Sequence, residues 1–119
     1  MSAMPSSSFS PLEEAVEAAR TKKAQEIVLL DLRAIANFTD HFLICSGASS
    51  RQVQSIADEV ERRLGLGGLR PAHVEGYNHA EWVLIDCVDF VVHIFSERAR
   101  AFYDLERLWR TAHRVPVRQ

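Results

Sequence analysis

Hydrophobic residues follow two different periods along this chain, and the change from one period to the other marks the predicted elements. Apolar positions spaced three or four apart begin just after Ser10 and Pro11, residue types that open helices, and predict a short helix ending near Thr21. Residues 27–30 form a branched apolar run that is too short for a helix and is typical of an interior strand. Residues 41–45 repeat this pattern, and the turn formers between the two runs predict a connecting loop.

A second helix follows the serine-rich segment 46–50, whose hydroxyl groups can cap a helix start. Its apolar residues fall on one side at helical spacing: Val53, Ile56, Ala57, Val60 and Leu64. Glycines within residues 65–68 end this helix, whereas an anion-binding glycine loop opens one, so a helix end is favoured over a phosphate loop. Segment 46–50 does lead into a helix start that could hold an anion, although a capped helix start is the favoured interpretation.

The last part of the chain contains three more predicted strands and a helix. Residues 69–74 form a weak strand, whose proline cannot donate to a ladder and belongs at the strand start or on a sheet edge. Residues 82–86 and 90–95 are strongly apolar and are close enough to form an antiparallel hairpin. Ser96 is predicted to cap the final helix, in which a kink near Asp104 is possible. The expected inward face of this helix consists of Ala99, Phe102, Leu105 and Trp109.

These elements predict a single α/β domain over residues 10–110, with a mixed sheet of about five strands flanked by helices. The 119-residue chain is 47% hydrophobic and 25% charged, which suits one hydrophobic core. Residues 1–9 are rich in serine and proline and are predicted to be a flexible leader. Residues 111–119 are predicted to be a basic C-terminal tail.

The net charge of -2 argues against direct nucleic-acid binding as the main function, because neutralising many phosphates requires a basic surface. The end of the chain is locally basic and leaves room for a phosphate contact. Its basic residues are Arg107, Arg110, His113, Arg114 and Arg118.

Cysteine usage and the lack of long apolar runs indicate the compartment. Cys45 and Cys87 lie in apolar runs without C-x-x-C spacing, which predicts buried free thiols and suits a reducing environment. No apolar run approaches the roughly 18 residues that span a bilayer, and the chain start has no signal-peptide pattern. We therefore expect a cytoplasmic protein without a membrane partner.

The chain has no recognisable catalytic or metal-binding pattern. Its histidines lack metal-ligand spacing, and no serine or cysteine stands in a nucleophile-elbow context. His93 alternates within a strand and is interpreted as a hydrogen-bonded structural histidine. Asp86 and Asp89 are three apart across a turn, whereas nucleotidyl transfer usually places two magnesium-binding carboxylates two residues apart. No enzymatic activity, cofactor or metal is therefore expected, and a nucleotidyltransferase with unusual metal ligands is the less favoured alternative.

Trp82 begins a strand after a polar stretch and has two interpretations of equal weight. It packs in the core, or it anchors a protein interface, since tryptophan and tyrosine are the residue types that most often do so. The acidic residues around it would complement a basic partner. They are Glu75, Glu81, Asp86 and Asp89.

Six blocks of the chain stand in an order typical of one family. They are residues 23–27 (KAQEI), 40–51 (DHFLICSGASSR), 74–76 (VEG), 82–86 (WVLID), 89–95 (DFVVHIF) and 102–109 (FYDLERLW). Through these blocks the chain resembles, over about residues 12–109, the ribosomal silencing factors, also called the Iojap family.

The resemblance implies a mixed sheet with helices, similar to a nucleotidyltransferase core without its catalytic carboxylates. It further implies a protein that binds the large ribosomal subunit through ribosomal protein L-fourteen, blocks joining of the small subunit and represses translation when nutrients are scarce. An assembly factor that rides on immature large subunits is the alternative. Some family members form homodimers, so a homodimer is possible here too.

Matched block by block, the resemblance gives five candidate partner-binding residues, namely Glu75, Gly76, Trp82, Asp86 and Tyr103. The family usually has an Asp-x-Gly-Asp turn where this chain has valine at position 88. If that glycine has a positive φ, a valine would be strained in its place, which leaves room for a rebuilt turn.

Overall fold

Capped amphipathic stretches and short branched apolar runs give an α/β fold over residues 9–119, the part of the chain that the computed structural model describes. The helices are α1 (Pro11–Thr21), α2 (Ser50–Leu66), α3 (Glu97–Tyr103) and α4 (Leu105–Leu108). The strands are β1 (Gln25–Asp31), β2 (His41–Gly47), β3 (His73–Glu75), β4 (Trp82–Asp86), β5 (Phe90–Ser96) and β6 (His113–Val115). None of these helices has the length and apolar character needed to cross a membrane. The predicted leader, residues 1–9, lies outside the described residues except for Phe9.

The six strands form one mixed sheet in the order β3-β4-β5-β2-β1-β6. β2 and β5 pair in parallel at its centre, and the other neighbouring strands pair antiparallel. Parallel strands need a long crossover, which here contains α2 and the strands β3 and β4. The crossover brings Phe42 opposite Val91 and Ile44 opposite His93, although these pairs are far apart in sequence.

Helices α1 and α2 cover one face of the sheet. The apolar stripe of α2, with Val53, Ile56 and Leu64, is completely buried there. α1 contributes small buried side chains, Ala15, Ala18 and Ala19, which let the two helices pack closely. Both helices begin at serine caps, because Ser10 and Ser49 accept hydrogen bonds from the backbone amides three residues ahead.

Both cysteines are buried free thiols, as predicted. Cys45 and Cys87 lie in the core under α1 and α2. Burial raises the pKa of each thiol to about 12, since a thiolate is poorly solvated in an apolar environment. Neither sulfur is therefore a nucleophile near neutral pH.

The opposite face of the sheet is covered only in part, by α3 and α4. Ser96 caps α3, as predicted, and the helix ends at Asp104, where φ is 48°, the position at which the sequence allows a kink. The predicted inward position of Phe102 is wrong, because this side chain is 78% exposed. Ala99 and Arg100 set the buried side of α3, and Phe102 lies roughly 200° from Arg100 around the helix.

The buried guanidinium of Arg100 joins four parts of the fold. It donates to the backbone carbonyls of Gln25 (3.2 Å) and Glu26 (2.8 Å), at an irregularity in β1. It also donates to Ser46 Oγ (3.1 Å) on β2 and to the carboxylate of Glu106 on α4. Because a buried charge is costly without partners, this network fixes the position of α3 and α4 on the sheet.

The α/β fold class is confirmed, with three differences in detail. The weak strand predicted at 69–74 is limited to residues 73–75, and it does lie on a sheet edge. A sixth strand at residues 113–115 was not predicted; it pairs antiparallel with β1. Gly65 lies inside α2, and the helix is capped at Gly67. The likeness to a nucleotidyltransferase core stays a prediction.

Candidate docking surface

Strand register gathers three of the five candidate residues on the partly covered face of the sheet. Trp82 lies opposite Phe95, a core residue beneath α3, whereas its neighbours Val83 and Ile85 point toward α1 and α2. Since side chains alternate along a strand, Asp86 lies on the same face as Trp82. Glu75 lies opposite Leu84, which places it on this face as well.

Tyr103, at the end of α3, joins this group through an aromatic contact. Its ring centroid lies 4.8 Å from that of Trp82, and Trp82 packs in turn on Phe95 at 4.9 Å. Tyr103 remains 48% exposed. Phe102 meets the Tyr103 ring edge-on at 5.0 Å and projects into solvent. The chain therefore presents a supported pair of aromatic rings to the outside.

Gly76 contributes by its lack of a side chain. It follows β3 with a φ of 83°, a conformation that favours glycine. A Cβ atom at this position would lie 2.1 Å from the carbonyl oxygen of Trp82. Gly76 thus lets the chain pass close to the start of β4, and its predicted role in direct contact with a partner stays a prediction.

His93 connects Trp82 to the centre of the face. Its Nδ1 accepts a hydrogen bond from the Trp82 indole N–H at 3.1 Å, which confirms the prediction of a hydrogen-bonded structural histidine. The ring is only 3% exposed, and burial lowers its pKa to about 4, so it is neutral at pH 7. The edge of Phe42 packs against it with ring centroids 4.5 Å apart.

A second aromatic group, which sequence reasoning missed, extends the face beyond His93. Phe42, Phe38 and Trp109 lie with ring centroids 5.6 to 6.0 Å apart, and Phe38 is 59% exposed. Leu108 is beside them in sequence and also exposed. The one feature of the sequence that indicates this second group is the aromatic residue at position 38, which stands inside a polar loop. Below, "aromatic face" denotes this surface, made of Phe38, Phe42, Trp82, His93, Phe102, Tyr103 and Trp109.

Most charges near Trp82 are acidic, although Arg98 lines a surface pocket together with Glu81, Phe102 and Tyr103. Glu75 is exposed and contacts His73, while Asp86 is half-buried and accepts a hydrogen bond from the Val88 amide at 2.9 Å. Glu81 accepts from the Ser96 hydroxyl at 2.8 Å. Glu75, Trp82 and Asp86 thus lie among acidic groups at the β3–β4 edge of the sheet, whereas Tyr103 on α3 also has Arg98 near it.

The strand–loop–helix at residues 46–50 is a capped helix start, the interpretation that the sequence favoured. Ser49 Oγ accepts from the Gln52 amide at 3.1 Å, and Gln52 Oε1 accepts from the Ala48 amide at 2.7 Å. These two amides are therefore already paired within the chain. In the described residues, no three or more His, Cys, Asp or Glu side chains are grouped so that they could hold a metal ion.

The same fold occurs in a crystal structure of a protein from Chromobacterium violaceum. The two chains superpose with a TM-score of 0.82 at 30% sequence identity, over 92% of this chain and 90% of that one. A model of the family described as "Ribosomal silencing factor during starvation" matches residues 5–119. The chain belongs to this family, as the resemblance indicated.

Two curated relatives show the range of names within this similarity. Ribosomal silencing factor RsfS of Halalkalibacterium halodurans is 45% identical over 106 residues, which are 89% of this chain and 91% of that protein. A mouse protein named "Mitochondrial assembly of ribosomal large subunit protein 1" is 26% identical over 93 residues, which are 76% of this chain and 41% of that protein. Both names describe action on ribosomes and neither describes an enzyme.

Proposed function

We propose that this protein binds the large ribosomal subunit through the aromatic face, blocks joining of the small subunit and so represses translation. The observation that carries the proposal is the Trp82–Tyr103 contact, in which the partly buried Trp82 supports a Tyr103 ring that is 48% exposed. Exposed aromatic residues on a rigid support are the usual anchors of protein interfaces. Occupancy of the subunit surface would be sufficient, so no catalytic step is required.

The partner on the subunit is proposed to be the basic ribosomal protein L-fourteen. Glu75, Glu81 and Asp86 place negative charge on the β3–β4 side of the aromatic pair. Such a surface is repelled by RNA phosphate and attracted to a basic protein. Charge complementarity would steer the encounter, and burial of the rings would supply most of the affinity.

Tyr103→Ala tests the binding step better than a change at Trp82, since Trp82 also supports His93. We expect at least a tenfold weaker affinity for purified large subunits, corresponding to about 1.4 kcal/mol for loss of an interface anchor. Co-sedimentation with large subunits measures this. Leu66→Ala is the control, because Leu66 is an exposed apolar residue at the end of α2, away from the aromatic face. Equal binding by the Tyr103 variant and the control would show that Tyr103 does not contribute to the docking surface.

Subunit joining tests the consequence of binding. Separated large and small subunits, mixed under conditions that favour association, should stay apart on a sucrose gradient when the wild-type protein is added. The Tyr103→Ala variant should block joining only at higher concentration. Full reassociation with bound wild-type protein would show that occupancy alone does not silence the ribosome.

A role in assembly of the large subunit is the second candidate, favoured by the name of the mouse relative. The same face would then hold immature particles. Profiling the particles that carry the protein across growth phases separates the two roles, because an assembly factor follows precursor particles and a silencing factor follows mature large subunits.

A further inference from the structure

The aromatic face has a second end whose charge is opposite to that around Trp82. Residues 105–119 contain four arginines and one carboxylate, Glu106, which already pairs with the buried Arg100. Arg107, Arg110 and Arg114 are exposed and have no carboxylate partner within residues 9–119. By contrast, Arg33, Arg62 and Arg63 each pair with a carboxylate.

Strand order separates the two ends of the face. The acidic residues lie at the β3–β4 edge, and β6 forms the opposite edge of the six-stranded sheet. Five steps of about 4.8 Å put these edges roughly 24 Å apart. For Arg114, which lies on β6, this exceeds the Debye length of about 8 Å at physiological salt, so its charge is largely screened from the acidic residues at the β3–β4 edge. The net charge of the whole chain therefore does not decide what the basic end attracts.

Register and helix position direct the basic end to the same side as the aromatic rings. Arg114 lies opposite Leu30, which packs with Phe42 and Trp109 beneath the face. The Arg110 guanidinium donates to the Arg107 carbonyl at 3.1 Å, which holds it beside the end of α4. Exposed Phe38 packs against Trp109 with ring centroids 5.8 Å apart. Guanidinium groups without a carboxylate partner thus lie on the side of the sheet that carries Phe38 and Trp109.

We infer that this basic end, formed by Arg107, Arg110 and Arg114 beside Phe38 and Trp109, contacts the RNA backbone of the ribosomal particle while the acidic end docks on protein. The inference deepens the proposed function and rests on it for the identity of the particle. Guanidinium groups bind phosphate in a planar, two-pronged geometry, and aromatic rings accept an unstacked base. A bipolar face would also fix the orientation of the protein, since the reversed orientation places acidic residues against phosphate.

The salt dependence of large-subunit binding tests the inference. Each phosphate contact contributes about 0.7 to 0.9 to the slope of log affinity against log salt. A triple variant with Arg107→Gln, Arg110→Gln and Arg114→Gln should lower that slope by about 2. The control removes the same charge on the other side of the molecule, with Lys22→Gln, Lys23→Gln and Arg51→Gln, and should leave the slope unchanged. Equal slopes for the two triple variants would overturn the inference.

Two further measurements separate the inference from the proposed function. Ultraviolet cross-linking of the wild-type complex should attach residues 107–114 to ribosomal RNA, and attachment to an acidic ribosomal protein instead would overturn the RNA contact. Fluorescence anisotropy with a labelled RNA hairpin in low salt should show binding by the wild type and the control, and several-fold weaker binding by the arginine triple variant.

The combined outcomes distinguish the two proposals. If the wild type does not bind large subunits but shows this pattern with RNA, the proposed function is wrong and the RNA contact of the basic end is supported. If subunits bind but neither RNA measurement responds, the inference alone fails.

Discussion

The indole N–H of Trp82 donates a hydrogen bond to Nδ1 of His93 on the neighbouring strand, with 3.1 Å between the two nitrogens. Since Nδ1 accepts, the imidazole carries its proton on Nε2, and this nitrogen has no hydrogen-bond partner among the described residues. The bond joins the partly buried Trp82, which supports the exposed Tyr103, to a buried residue at the centre of the sheet. Trp82 is therefore both a candidate interface anchor and a structural residue, so the two interpretations of its sequence context are compatible.

Trp82→Phe should destabilise the fold by about 1 to 3 kcal/mol, because it leaves a buried acceptor on His93 without a donor. Urea unfolding measures the change. Trp109→Phe is the matched control, since the Trp109 indole N–H makes no hydrogen bond within residues 9–119 and the loss of volume is the same. Similar losses for the two variants would mean that ring packing, and not the hydrogen bond, accounts for the effect.

Stability should fall as the pH drops from 7 toward 5. The pKa of His93 is about 4 in the folded chain and 6.5 in its unperturbed state. Between these two values the unfolded chain binds a proton at His93 and the folded chain does not. The contribution is fully present above pH 6.5, is lost as the pH falls toward 4, and amounts to about 2 kcal/mol between pH 7 and 5. Urea unfolding at pH 7, 6 and 5 measures this loss.

His93→Gln should flatten that pH dependence, because an amide can still accept from Trp82 but does not titrate. The control is His79→Gln, which changes an exposed histidine and should keep the wild-type slope. A wild-type slope in the His93 variant would show that other groups cause the loss. Glu59 is not expected to do so in this range, since hydrogen bonds from Arg62 hold its pKa at about 2.

Val88→Gly should stabilise the protein by about 1 kcal/mol, since a left-handed conformation costs a β-branched residue more than glycine. Val88 has a positive φ of 70° in the turn between β4 and β5. The Asp89 amide donates to the Cys87 carbonyl at 2.8 Å, which closes a strained γ-turn around Val88. Val88 is 62% exposed, so little burial is lost. Thermal unfolding measures the change, with Val88→Ala as the control. An equal rise in melting temperature for the two variants would contradict this explanation.

Gly76→Ala should cost about 2 kcal/mol or more and weaken subunit binding, because a Cβ would collide with the Trp82 carbonyl in a backbone conformation that already disfavours alanine. Gly65→Ala provides the opposite comparison. Gly65 lies inside α2 with open space around it, so alanine should stabilise the helix by about 0.5 to 1 kcal/mol. Urea unfolding of both variants checks the signs, and a harmless Gly76→Ala would contradict the close approach.

Local sequence predicted secondary structure correctly where an element depends only on residues close to it in the chain. Ser49 and Ser96 cap the helices that their hydroxyl groups predicted, and the apolar runs in β4 and β5 form the expected hairpin. β6 was missed because residues 113–115 carry no strand pattern. Its stability comes from pairing with β1, and the Gln119 side chain secures the adjoining segment through two hydrogen bonds with Ile27.

The candidate site could be predicted from sequence only at its acidic end. Glu75, Trp82, Asp86 and Tyr103 do lie near one another, but their contacts with a partner stay predictions. The exposure of Phe102 could not be read from spacing, because the buried side of a seven-residue helix is set by how Arg100 anchors it.

The sequence by itself determined where most of the helices and the strands β1, β2, β4 and β5 lie and which apolar stripe α2 buries, because these properties depend on neighbours a few positions away. Only the tertiary structure decided that β5 lies parallel to β2, which brings Phe42 against His93 and joins two aromatic groups into one face. The physical reason is that pairing between distant strands depends on the packing of the whole sheet, which no local period encodes.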